Sequence, residues 1–169
     1  MKQRMVLAIL LTLGMAGTAW AMDCPQTVSP TTLYQCTQTV FNDSGAAITS
    51  RSVVSWDQDD TDFSSTGYPY ILPTSTADDP YTAGVMLTGS CPDQALCTIV
   101  VHGLTTVLVA DATDNATVDT LVGGSTVSGQ AGDYATGANT CALGTLVAID
   151  GTDALDGVLA RMWVNVDCD

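Results

Sequence analysis

The chain contains no glutamate at all, and lysine occurs once, at Lys2. Helical proteins normally cover their exposed faces with Glu and Lys, because both are good helix formers. Without them, and with no sustained helical period anywhere, an α-helical fold is set aside. Cations are nearly missing too: beyond Lys2 and Arg4 there are only Arg51 and Arg161. Nucleic-acid affinity rests on neutralising phosphates with Lys and Arg, so this composition argues against nucleic acid and equally against anionic membrane surfaces. His102 is the single histidine, no two cysteines have C-x-x-C spacing, and no G-x-S-x-G elbow is present. Zinc chemistry and serine-hydrolase chemistry thus lack their usual residues. Gly123-Gly124 has no lysine or helix after it, so it reads as a turn rather than a phosphate cradle.

What is abundant points one way. All 18 acidic residues are aspartate, among many Thr, Ser, Gly and Val. Asp, Asn, Ser and Gly favour turns, while β-branched residues favour strands. The expected fold class is all-β: a single small β-barrel or sandwich of short antiparallel strands, stapled by disulfides.

Residues 1–21, MKQRMVLAILLTLGMAGTAWA, read as a secretory signal peptide, with a basic start, an apolar segment and an Ala-Trp-Ala cleavage site before Met22. The apolar segment is shorter than the roughly 20 residues that span a bilayer. The expected location is therefore secreted: extracellular, at the cell surface, or periplasmic. The remainder divides into an N-terminal arm, residues 22–40, and a β-barrel or sandwich domain, residues 41–169. It carries two arginines against 18 aspartates, a net charge of −16. Such charge favours solubility, cations and basic partners.

Cys24, Cys36, Cys91, Cys97, Cys141 and Cys168 all lie in the exported part. An even number in an oxidising compartment implies three disulfides. Six cysteines allow 15 connectivities. Pairing in sequence order gives Cys24–Cys36, Cys91–Cys97 and Cys141–Cys168.

Along the chain, strands are expected over residues 33–41, 48–56, 81–88, 98–110, 117–122, 126–128, 142–149 and 157–166. Gly103 is expected to mark a bulge. Residues 98–128 read as the central hairpin, with an Asp-rich tip. Asp57, Asp59, Asp60 and Asp62 place four carboxylates in six residues. Oxygens at such spacing can hold a weak extracellular calcium ion, although the EF-hand pattern is missing. No other cofactor is implied. Residues 64–80 read as a long surface loop, and Tyr68, Tyr70 and Tyr81 are its candidate contact residues. Trp56 and Trp163 read as core, and His102 as a packed or half-exposed strand residue. Asn42 and Asn115 fit glycosylation acceptors.

Three stretches carry a resemblance. VFNDSGAAITSRSVVSWD resembles the N-x-(S/T)-G-a-x-I-x-x-G-x-V-V opening of small β-barrel proteins that decorate or stabilise tailed-phage heads. AGVMLTG followed by IVVHGLTTVLV is similar to their A-G-V strand and the strand after it. VDTLVGGSTVSGQAG and ALGTLVAIDGTDALDGVLARMWVNV are similar to their second half. The resemblance spans residues 41–166 and implies a β-barrel that coats or builds a larger assembly. This chain departs from it in carrying Arg51 where the family has glycine, and in having a secretory signal and cysteines. The expected function is a non-enzymatic structural subunit of an extracellular or surface assembly, a homo-oligomer or polymer joined through β edges and the N-terminal arm. The alternative is a monomeric secreted binding module with a calcium-dependent acidic loop.

Overall fold

A computed structural model describes residues 35–58, 66–87, 89–110, 120–135, 140–149 and 158–168. The expected signal peptide, most of the expected arm, Cys24, three of the four loop aspartates, Asn115 and the tip at residues 111–119 lie outside those residues. The described chain is all-β. Its strands are β1 (Gln35–Asn42), β2 (Val53–Trp56), β3 (Tyr70–Pro73), β4 (Thr82–Met86), β5 (Ala95–Val109), β6 (Leu121–Gly124), β7 (Ala131–Asp133), β8 (Cys141–Ile149) and β9 (Val158–Cys168). Most pairings are antiparallel, and two short ones, β1–β3 and β5–β7, are parallel.

The hydrogen-bonded order is β1-β3-β2-β4-β5-β7-β6-β8-β9, with further pairings β1–β5 and β5–β9. Both ends of that order return to β5, so the sheet partly closes into a ring. The pairing makes two circuits that share β5 as a common wall. At His102 and Gly103 the strand is flanked by β1 on one edge and β9 on the other. The buried residues form two cores, with β2, β4 and β5 between them. Val54 and Ile99 face one, with Val40 and Ile71; Val53, Val85 and Val100 face the other, with Val107, Leu143, Leu146 and Met162. Val, Ile and Leu suit both, since branched side chains pack well on a pleated surface.

The strand expected over residues 48–56 is broken. Arg51 has φ +67°, which turns the backbone out of strand geometry, so β2 starts only at Val53 and Ile48 makes an isolated bridge to Cys91. The expected surface loop at residues 64–80 contains β3, hidden in sequence by its brevity and its flanking prolines. The expected central hairpin is also corrected: β6 pairs with β7 and β8, not with β5. The strand expected at residues 126–128 is instead a connection, and β7 follows it. Gly123 and Gly124 are not a turn but buried strand residues. A Cβ on them would stand 2.7 Å from Asp78 Oδ1 and 2.8 Å from Thr74 Oγ1, so close packing is what requires glycine there. The irregularity expected at Gly103 falls beside it, where β1 skips Val101 between Cys36 and Thr37.

Candidate functional site

The resemblance motif Asn42–Ile48 is a built turn. Asn42 is fully buried, and its Nδ2 donates to the carbonyls of Ala46, Cys91 and Pro92 at 2.8, 3.0 and 3.0 Å. Its Oδ1 accepts from the Ser44 amide and hydroxyl at 3.1 and 2.7 Å. The Asn42 side-chain amide is thus spent on holding this turn. Next to this turn the Cys91–Cys97 disulfide closes its loop, with Cα atoms 5.8 Å apart. Cys36 and Cys141 are also disulfide-bonded, and Cys141 stands opposite Cys168 in the β8–β9 ladder.

A second polar centre is Asp79. Its Oδ2 accepts from Ser55 Oγ at 2.7 Å and Thr74 Oγ1 at 3.3 Å, and its Oδ1 from the Tyr81 amide at 2.9 Å. Asp79 is 9% exposed, and its carboxylate ties β2 and the β3–β4 connection together. Burial of a charge requires such partners. It is a structural anchor.

Of the expected loop aspartates, Asp57 is described: it is half-buried and its amide donates to the Tyr70 carbonyl at 2.9 Å. The tyrosines separate. Tyr68 and Tyr81 are exposed, whereas Tyr70 is 3% exposed with its ring 5.0 Å from that of Phe41. Tyr70 therefore belongs to the core and is corrected as a surface contact. Trp163 moves the opposite way: it is 40% exposed, not core. His102 lies on the same outer face, its ring edge-on to Trp163 at 5.5 Å and its Nδ1 3.1 Å from Asn165 Oδ1.

Trp163 stands in a cross-strand row. Leu121 of β6 pairs with Thr145 of β8, Thr145 with Trp163 of β9, and Trp163 with Leu104 of β5. Residues directly opposite in a ladder share a face. Leu121 is 50% exposed and Val147, two residues along β8 from Thr145, is 49% exposed. Three large apolar side chains, Leu121, Val147 and Trp163, thus stand exposed around Thr145 on an outer sheet face, unlike hydrophobics scattered singly, and they mark a contact surface.

Beside the row lies a cleft of about 510 Å³, lined by Gln35, Arg51, Leu104, Thr106 and Arg161 among others. Sequence gives no hint of it, because its two arginines are far apart in the chain. The fold unites them: the Arg51 carbonyl accepts from the Leu108 amide at 3.0 Å, and Arg161 pairs with Thr106 two residues earlier. Gln35 reaches the same place, its Nε2 donating to the Leu104 carbonyl at 2.7 Å. Arg51 Nε is buried and has no hydrogen-bond partner among the described residues. A buried donor left unpaired costs about 1–3 kcal/mol, more when charged.

No family model matches the chain, and no curated protein matches it in sequence. Among solved structures it is similar to the N base of the head fiber protein gp8.5 of bacteriophage phi29, with 14% identity, TM-score 0.46, 76% of this chain covered and 92% of that one. That is a likeness in outline, and no function follows from it.

Proposed function

We propose that the chain is a non-enzymatic structural subunit of an extracellular or surface assembly (a filament, layer or capsid-like coat) that associates with copies of itself. The observation that carries this reading is the cluster of exposed Leu121, Trp163 and Val147 around Thr145 on the outer sheet face. Large apolar side chains held rigid on a sheet face gain about 25 cal/mol per Å² when a partner covers them. Secretion of the chain, expected from residues 1–21, belongs to the same proposal.

The means of association is revised. Every described strand has a pairing partner on each side, so edge-to-edge pairing gives way to contact through the outer face. Closing a sheet on itself is how β proteins remove adhesive edges. Joining then falls to side chains of the outer face and to the expected N-terminal arm, most of which lies outside the described residues.

Size-exclusion chromatography with light scattering, over a concentration series with and without EDTA, tests the proposal. Mass that grows with concentration supports it. A sharp monomer at every concentration sinks it, and a monomer stabilised by Ca²⁺ favours the binding-module alternative, with calcium at Asp57, Asp59, Asp60 and Asp62.

A further inference from the structure

We infer that the cleft between Arg51 and Arg161 receives an aspartate carboxylate from a second copy of this chain. The inference rests on the self-association reading and names the contact that orients it. Four observations converge.

First, beyond residues 1–21 the chain has only these two cations against 18 aspartates, and the fold brings both to one cleft. Two copies carrying so much like charge repel wherever they touch, except where a carboxylate of one meets this cleft. Secondly, Arg51 Nε is a buried donor without a partner among the described residues, and buried polar groups in native proteins are hydrogen-bonded. Thirdly, the guanidinium is the side chain whose planar fork fits a carboxylate with two parallel hydrogen bonds. Gln35, Thr105 and Thr106 line the same space and add uncharged donors. Fourthly, at about 510 Å³ the cleft has room for a side chain with its flanking backbone, whereas one water takes roughly 30 Å³. The apolar cluster adjoins the cleft through Leu104, which lines the cleft and pairs with Trp163. Together they form a surface with an apolar area and a charged socket, the first giving area and the second register.

The test is sedimentation velocity on the full chain, expressed with its own N-terminal segment, over a concentration series at fixed ionic strength. Wild type is compared with Arg161→Gln, Arg51→Gln and Arg161→Lys, each with a thermal melt. Arg161 is exposed, so its variants retain the fold even if Arg51→Gln does not. The expected result is association weakened about tenfold or more by either glutamine substitution, an intermediate loss for Arg161→Lys, and unchanged melting for both Arg161 variants. A synthetic peptide of residues 57–62 is expected to compete at millimolar concentration. If wild type associates and the glutamine variants associate equally well, the inference is overturned while the structural-subunit reading stands. A melting temperature lowered with association unchanged assigns the cleft to a carboxylate of the same chain and also overturns it. If citrate or inorganic phosphate raises the melting temperature of wild type but leaves assembly untouched, the cleft is a small-anion site and the second copy is wrong. A wild type that remains monomeric throughout sinks the subunit reading itself.

Discussion

Replacing Arg51 by glycine is expected to stabilise the protein, although it removes a charged side chain from a folded surface. Arg51 has φ +67°, where a Cβ crowds the following carbonyl at a cost of about 1–2 kcal/mol. Glycine escapes that cost but gives up about 0.5–1 kcal/mol of chain entropy on folding. Glycine should therefore exceed alanine here by about 0.5–1 kcal/mol, since alanine keeps the Cβ. Both substitutions also remove the buried Nε without a described partner, which relieves about 1 kcal/mol or more. Lost contacts of the aliphatic stem against Met86 and Leu87, which line the same cleft, offset part of this gain. The expected order is Arg51→Gly above Arg51→Ala, with glycine at or above wild type by about 1 kcal/mol, or about 2–4 °C in Tm for a chain of this size. Urea unfolding of the three proteins, with m-values compared, measures it. Alanine equal to or better than glycine would refute the strain argument. Both variants falling more than about 1 kcal/mol below wild type would show that Arg51 holds the fold through packing.

The close approaches of β4 to β5 and of β8 to β9 depend on Gly84 and Gly144. A Cβ there would lie 2.4 Å from the Val100 carbonyl oxygen and 2.1 Å from that of Trp163, so Gly84→Ala and Gly144→Ala should each cost about 2 kcal/mol or more in denaturant unfolding. Asn42→Ala strips the amide that serves three carbonyls and should cost about 2–4 kcal/mol, read as a lower urea midpoint. Cys91→Ser with Cys97→Ser opens a bridge of sequence separation 6; the loop-entropy estimate is a loss of about 2 kcal/mol, seen as a lower Tm that reducing agent lowers no further at this bridge.

The long, alternating strands were legible. β8 and β9 fall within a residue or two of expectation because their apolar periodicity is sustained and the Asp150-Gly151-Thr152-Asp153 sequence between them carries the residue signal of a turn. β5 was recognised as the longest element for the same reason. What escaped was short or dependent on contacts from elsewhere. β3 is four residues among prolines, and β7 is Ala-Gly-Asp, with too few side chains to show a period. Gly123-Gly124 carries the residue signal of a turn, and only the neighbouring Thr74 and Asp78 reveal it as a strand packed from outside. Arg51 hid its own break, since arginine gives no local sign of positive φ. Tyr70 and Trp163 exchanged their expected places because which strand face is buried depends on a topology with two cores. The cleft follows from pairings over long sequence distances and has no local signature.

The most direct test of self-association through the outer face is light scattering on wild type and a Leu121→Ser, Trp163→Ser double variant across a wide concentration range. Leu121 and Trp163 are 50% and 40% exposed, so each substitution costs the folded monomer about 1–3 kcal/mol, and circular dichroism checks that the fold is kept. The expected result is a wild-type mass that climbs with concentration, and a variant that remains a monomer with unchanged far-UV circular dichroism. A wild type fixed at the mass of one chain, or a variant that assembles as wild type does, contradicts the account.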